Sequence, residues 1–365
     1  MKNRVLLFVV LTGLMGLPSC ETKVDTEKTF EITNGVNISH WLSQSNKRGT
    51  ERSAYFTRGD VAFLAGLGYD HLRIPIDEEQ MFTEDGQKEP EAFRLLHNAL
   101  EWCAVYHLRT VVDLHILRSH HFNNEVKPLF TDPAAQEQFY SCWRKLSDEL
   151  KKYPNEQVAY ELMNEPVADN PEIWNVIVNR CTEAVRKLEP GRTIIIGSNR
   201  WQSYSTVKDL RLPENDPNIL ISFQYYEPFL LTHYRASWTN QKDISFPVHY
   251  PGKLVADSDL AAGGAEQLAQ TGRSNEEYNI DVIESHFKQV LAVAQKYGLK
   301  VYCGEYGCIN EAPGDDKIRW YTDMNTLFNR YGIARANWDY KGSFAIVRNG
   351  VTQEEMIRSI LGKAR

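Results

Sequence analysis

The chain has 365 residues, 42% hydrophobic, 11% aromatic and 24% charged, a globular composition that excludes collagen-like, low-complexity and bulk-disordered classes. Its formal charge is −7, with 41 basic against 48 acidic residues, which argues against a nucleic-acid partner because phosphate backbones call for basic faces. A neutral, ring-shaped ligand such as a sugar fits the charge and the aromatic share, although most of those aromatics are expected in the core.

In chain order, residues 1–20 read as a targeting signal. Lys2 and Arg4 precede the apolar run VLLFVVLTGLMGL, too short to span a bilayer comfortably. The run ends in LPSC, which resembles a bacterial lipobox with Pro18 in place of the usual small residue. On that resemblance Cys20 is lipidated and becomes the mature N-terminus of an exported lipoprotein, periplasmic or at the outer membrane or cell surface. A plain secretory signal and an uncleaved anchor are the alternatives. Residues 21–30 are polar and unpatterned, a tether, and residues 31–365 form one catalytic-sized domain that touches a membrane only through the anchor. Cys103, Cys142, Cys181, Cys303 and Cys308 remain. Their spacing fits no metal site, and no essential disulfide is expected.

From residue 31 onward short apolar runs alternate with amphipathic helices. Strands are predicted in GVNISHWL, HLRIPID, RTVVDLHI, VAYELMNEP, TIIIGSN, NILISFQYYEP, KVYCGEYG and ARANWDYKG. Helices follow in RGDVAFLAGLGY, EPEAFRLLHNALEWCAVYHL, PAAQEQFYSCWRKLSDELKK, NPEIWNVIVNRCTEAVRKLEPG, NIDVIESHFKQVLAVAQKYGL, DDKIRWYTDMNTLFNRYG and TQEEMIRSILG, with a weak helix after the fifth strand. Strict alternation implies a parallel sheet with helices outside, and eight units over this length predict a single (β/α)8 TIM barrel in the α/β class. A doubly wound sheet is the rival, but the glycine-rich phosphate turn it usually carries after its first strand is absent from NISHWLSQSNKRG. Between Phe229 and Asn279 lie about fifty residues without a convincing strand, a length that is usually functional or disordered. FLLTHYRASW reads as packed and VADSDLAAGG as loosely held.

Barrel chemistry sits at the C-terminal strand ends. Those ends deliver His40 and Trp41, Arg73, Asp113 and His115, Asn164 and Glu165, Asn199 and Trp201, Gln224, Tyr226 and Glu227, Glu305, and Trp338 with Asp339. Glu165 and Glu305 are the obvious pair, because glycosidic cleavage needs one carboxyl to protonate the leaving oxygen and one to attack or to activate water. Trp41, Trp201 and Trp238 are candidate sugar platforms as well as candidate core residues, and one of His120 and His121 is expected to contact sugar.

The segments LRIPID, DLH, LMNEP, FQYYEP, CGEYG and ANWDYKG, in this order and spacing, resemble glycoside hydrolase family 5, the cellulase-like retaining barrels, over nearly the whole mature chain. The resemblance implies Glu165 as general acid/base and Glu305 as nucleophile. It further implies that Asn164 bonds the sugar 2-hydroxyl, that Arg73 and Tyr226 hold and polarise the nucleophile, that His115 lines the cleft and that Trp338 is a stacking floor. His121, Trp41 and Trp201 complete the expected substrate-binding set. The family usually carries His where this chain has Gln224, so Gln224 is expected within reach of Glu165 or of the reacting sugar. Glu165 should have a raised pKa while Glu305 stays ionised. The expected activity is cleavage of a β-linked polysaccharide or oligosaccharide by double displacement, endo-β-glucanase-like, with no cofactor or metal, by a monomer. An exo-acting enzyme, a mannanase, a disabled glycan-binding barrel, and a metal-dependent hydrolase built on His40, Asp113, His115, His120 and His121 are the alternatives.

Overall fold

A computed structural model describes residues 29–363, so the signal segment, Cys20 and most of the tether lie outside the described residues. Eight parallel strands close into a barrel: β1 (Asn34–Asn37), β2 (His71–Asp77), β3 (Arg109–Ile116), β4 (Val158–Glu161), β5 (Ile194–Gly197), β6 (Ile219–Tyr225), β7 (Lys300–Tyr306) and β8 (Ala334–Asn337). Pairing runs in chain order, and β8 closes on β1 through Asn34 opposite Arg335.

Among the described residues, seven helices of eight residues or more pack outside: α1 (Arg58–Leu67), α2 (Pro90–Val105), α3 (Pro133–Leu150), α4 (Pro171–Leu188), α5 (Ile280–Tyr297), α6 (Gly314–Tyr331) and α7 (Glu354–Leu361). Their ends follow from local chemistry. Pro90, Pro133 and Pro171 open α2, α3 and α4 behind the N-capping side chains of Glu89, Asp132 and Asn170, where a missing backbone N–H costs nothing. The weak helix expected after β5 is a 3-10 segment, Tyr204–Asp209. The first strand is shorter than expected because His40 turns to φ 54°.

Alternation along the strands sorts the interior. On β2, Leu72, Ile74 and Ile76 pack outward against the helices, while His71, Arg73 and Asp77 take the other face. On β3 and β4, Val111 and Ala159 join Ile195, Leu220, Tyr302 and Ala336 in a separate apolar cluster with Phe30. Two residues further along the same faces stand Asp113 and Glu161.

Strand β7 does not keep strict alternation. Its pairing with β6 shifts between Phe223 opposite Cys303 and Gln224 opposite Glu305. The extra residue is Gly304, and this bulge brings Glu305 onto the interior face. A side chain at Gly304 would crowd Ser222 Oγ at 3.1 Å and Arg73 Nε at 3.5 Å, and one at Gly307 would stand 2.4 Å from the Trp338 carbonyl oxygen. The glycines of GEYG thus make room for the arginine on one side and for β8 on the other.

The stretch from Phe229 to Asn279 is folded onto the barrel. Leu230, Leu231, Tyr234 and Ala236 are buried, as expected for FLLTHYRASW. A two-residue antiparallel ribbon, Gly252–Lys253 with Glu277–Tyr278, ties its far ends together. VADSDLAAGG buries Val255 but is otherwise mostly exposed helical turns. Among the described residues no helix is long and apolar enough to cross a membrane, and the five cysteines from Cys103 to Cys308 are buried and free.

Candidate active site

Hydrogen bonding extends the line of β4 past its last residue. Leu162 N–H donates to Ile195 O at 3.2 Å and Asn164 N–H to Leu114 O at 3.1 Å. The chain then turns sharply at Glu165, whose φ of 46° is left-handed for a residue with a Cβ. Such backbone strain persists only where surrounding contacts impose it. Here His120, buried, donates from Nε2 to the Glu165 carbonyl at 3.0 Å, and the Trp201 N–H donates to Pro166 O at 3.3 Å. Glu165 is delivered into a cleft of about 1020 Å³ that also takes in Glu305, His115, Gln224, Tyr226, Trp338, His121, Trp201 and Trp238.

Arg73 organises the floor. Its NH1 donates to Glu305 Oε1 at 2.7 Å and to Asn37 Oδ1 at 2.9 Å. Nε and NH2 hold both oxygens of Glu161, at 2.7 and 3.1 Å. NH2 also reaches Asn164 Oδ1 at 3.0 Å and Asp113 Oδ2 at 3.1 Å. Arg73 is therefore at once a partner of the expected nucleophile and the centre of a buried ion cluster. The second oxygen of Glu305 accepts from the Tyr226 hydroxyl at 2.9 Å. Asn164 has its amide oriented by two donors on Oδ1, Arg73 and Gln224 Nε2 at 2.8 Å. Its NH2 makes a long 3.5 Å contact to His115 Nε2 and also donates to the Glu165 side chain, at the mouth of the cleft.

Four carboxyl groups surround one guanidinium, and they cannot all ionise freely. Burial pushes all four upward. Glu165 is raised well above the ordinary range, by desolvation first and then by the charge of Glu305. Asp113 is pushed up to about 7 by burial, against the pull of Arg73. Glu161 is raised by the same desolvation. Glu305, expected to stay ionised, is also raised by desolvation, against the pull of Arg73 and the Tyr226 hydroxyl. Glu165 is the more strongly raised of the two, and it has no direct bond to Arg73.

His115 donates from Nδ1 to Asp113 Oδ2 at 2.7 Å and lies parallel to the Trp338 ring, centroids 5.7 Å apart. Burial pushes its pKa down to about 3, so the ring is neutral. Gln224 lines the cleft but bonds Asn164, the neighbour of Glu165, rather than Glu165 itself. Of the two adjacent histidines, His121 faces the cleft and His120 holds the Glu165 backbone. Trp41 is a correction. It is fully buried against Phe56, with its indole N–H on the Arg52 carbonyl at 2.9 Å, so no sugar can reach it. Trp201 is 43% exposed at the cleft edge. Among the described residues no three His, Cys, Asp or Glu side chains converge as a metal site, and Asp113, His115 and His120 have the partners named above.

Sequence reasoning missed Glu161 and Gln202. Glu161 reads as an ordinary strand residue until Arg73 is seen beside it, and the alternation of VAYE, which puts it on the face of Ala159, is the available signal. Gln202 donates to Glu161 Oε1 at 3.2 Å and to Met163 O at 2.9 Å, from a turn in which Arg200, Trp201 and Gln202 all have positive φ. No sequence signal marks it.

A family model, Cellulase (glycosyl hydrolase family 5), matches residues 30–343. Endoglucanase C of Acetivibrio thermocellus is 30% identical over 314 residues, covering 84% of this chain and 90% of that protein. Cellodextrinase A of Ruminococcus flavefaciens is 29% identical over 84% of this chain and 85% of its own length. Endoglucanase Cel5A of Thermotoga maritima superposes with a TM-score of 0.72 over 90% of this chain and 96% of its own, at 20% identity, which speaks to the fold alone. With 314 residues of the chain matched by that one family, around two carboxyl groups in a barrel-mouth cleft, this protein belongs to glycosyl hydrolase family 5 and is a glycoside hydrolase.

Proposed function

We propose that the protein is a retaining endo-β-glucanase working by double displacement. The observation that carries this reading is the asymmetry of the pair. Glu305 has one oxygen on Arg73 and the other on Tyr226, which aims a carboxylate at an anomeric carbon. Glu165 has a strongly raised pKa and no such cation contact, which suits a proton donor. In the first step Glu165 protonates the glycosidic oxygen, the C–O bond breaks, and Glu305 forms an ester with the anomeric carbon. In the second, Glu165 takes a proton from water as that water attacks the same carbon and releases Glu305. Asn164 offers its NH2 to the 2-hydroxyl, and His115 with Trp338 forms the wall beside the reacting ring. The carboxyl groups are expected about 5–5.5 Å apart, the spacing of retaining enzymes.

The β-glucan substrate is supported by relatives named endoglucanase and cellodextrinase. Time-resolved proton NMR of cello-oligosaccharide cleavage tests the reading. The β-anomer should appear first and mutarotate later. First appearance of the α-anomer would require inversion, and internal cuts absent from the product profile would favour an exo mode.

Export as a lipoprotein, periplasmic or surface-exposed, is proposed from residues 1–20 and Cys20. Radiolabelled palmitate should enter the wild type and not Cys20→Ala.

A further inference from the structure

His120 stands in the loop after β3, 1% exposed and outside the lining of the cleft. The backbone around it is tightly fixed. Leu117 and His120 exchange N–H to carbonyl hydrogen bonds of 3.0 Å each way, and the Leu129 N–H donates to Ser119 O at 3.1 Å. Arg118 gives its backbone N–H to Glu78 Oε2 at 3.0 Å and its guanidinium to Phe82 O at 2.7 Å. The loop is thus tied to the segment after β2 before its histidine reaches across to the end of β4.

The His120 ring uses one of its two nitrogens. Nε2 meets the Glu165 carbonyl at 3.0 Å, and because a carbonyl oxygen only accepts, Nε2 carries the proton. Nδ1 is then bare, and among the described residues it has no hydrogen-bond partner. The ring otherwise packs edge-on to Phe130, centroids 5.1 Å apart. An apolar side chain would fill that space without leaving a buried nitrogen unbonded, which is costly. What histidine adds there is the single N–H on Glu165. Burial pushes its pKa down to about 4, so the ring stays neutral near neutral pH.

That bond bears on where a catalytic side chain points. The left-handed φ of Glu165, 46°, is strained, and a residue before proline is otherwise drawn toward extended backbone. The chain is held before the turn by the Asn164 N–H on Leu114 O, and after it by the Trp201 N–H on Pro166 O. Between these two points the Glu165 carbonyl is held by His120. Without that donor the residue can relax about ψ, and its carboxyl swings with it. The bonds that hold Glu305 come from Arg73 and Tyr226 and do not run through His120.

We infer that His120 is a positioning residue for proton transfer, which aims the Glu165 carboxyl at the glycosidic oxygen and leaves the aim of Glu305 untouched. The inference rests on the reading of Glu165 as acid/base, and its test separates the two. Wild type, Glu165→Ala, His120→Leu and His120→Gln are assayed on cellopentaose, whose leaving oxygen needs a proton, and on 2,4-dinitrophenyl β-cellobioside, whose phenolate leaves without one. The ratio of kcat/KM for cellopentaose to that for the aryl glycoside should fall about tenfold in His120→Leu, equivalent to roughly 1.4 kcal/mol. His120→Gln, which can bring an N–H near the place of Nε2, should lie between it and wild type. An unchanged ratio in His120→Leu overturns the inference, whether both activities hold or both fall together, and leaves His120 a packing residue. Glu165→Ala should depress the ratio further than either. An unchanged ratio there overturns the acid/base reading and the inference with it. Nitrogen-15 NMR of the wild-type imidazoles, with His120 assigned by its loss in His120→Gln, should show Nε2 protonated and Nδ1 bare. The opposite tautomer overturns the inference even if His120→Leu does not fold.

Discussion

The two halves of the barrel interior are built on the same strands and could hardly differ more. The lower half is apolar: Val111, Ala159, Ile195, Leu220, Tyr302 and Ala336 close around Phe30. Two residues further along β3 and β4 the interior changes to Asp113 and Glu161, joined by Arg73, Glu165 and Glu305. A fold in search of stability alone would continue the apolar filling, since buried ion clusters often lose to well-packed hydrophobic residues. The upper half is arranged for its chemistry, and the lower half supplies the rigidity that holds four acids around one cation.

The contrast is most sharply broken by changes that should affect one half and spare the other. The largest effect is expected for Glu305→Ala, which removes the proposed nucleophile. Turnover should fall by on the order of 10⁴-fold or more, about 5.5 kcal/mol of barrel-mouth chemistry, with the melting temperature held or raised. Substantial residual turnover with retained stereochemistry would reassign the nucleophile.

In the lower half, Ile195→Ala should do the reverse. Deleting a fully buried side chain costs about 2–5 kcal/mol of stability, measurable by urea unfolding, while kcat of the folded fraction stays near that of wild type. A large loss of kcat in the folded enzyme would mean that the two halves are not separable.

Glu165→Gln links stability to pH. The folded-state pKa of Glu165 lies above its unfolded value, so the folded protein holds a proton that the unfolded chain releases. Stability contributed by that proton is lost as pH rises from about 4.5 through the folded pKa. Replacing the acid with a neutral amide should raise the melting temperature at pH 8 by a few degrees and leave it nearly unchanged at pH 4. An equal change at both pH values would remove ionisation as the cause.

Asp113→Asn sharpens the picture inside the upper half. Asp113 does not face the substrate; it accepts from His115 and Arg73, and its charge raises both Glu165 and Glu305. Removing that charge should lower both pKa values, so both limbs of the bell-shaped activity profile should move to lower pH. Shifts of opposite sign would contradict the shared-cluster account. The smallest effect is expected for Gln224→His. It places a titratable ring beside Asn164, preserves the fold, and should displace one limb of the profile. An unchanged profile would make Gln224 purely structural.

Much of this was legible in the sequence because barrel chemistry collects at strand ends, where hydrophobic alternation stops and polar residues follow. LMNEP and CGEYG stand out for that reason, and Arg73 for being a cation inside LRIPID. What was hidden depends on contacts between strands. Trp41 follows a strand like Trp338 does, yet the turn at His40 sends it into the packing against Phe56, and no local pattern distinguishes the two. Gln202 acts from a strained turn, and the pKa of Glu305 depends on a desolvation that only the closed barrel imposes.

The central claim is that Glu305 is the nucleophile, aimed by Arg73 and Tyr226, and that Glu165 carries the proton. Its most direct test is inactivation with 2,4-dinitrophenyl 2-deoxy-2-fluoro-β-cellobioside, followed by peptic digestion and mass spectrometry. The 2-fluorine slows both steps, and the activated leaving group still lets the first proceed, so the glycosyl ester accumulates. The account predicts one label per chain, on the peptide containing Glu305, with activity returning as the ester turns over. A label on Glu165 or another residue, or complete resistance to inactivation in an enzyme that cleaves the unfluorinated glycoside, would contradict it.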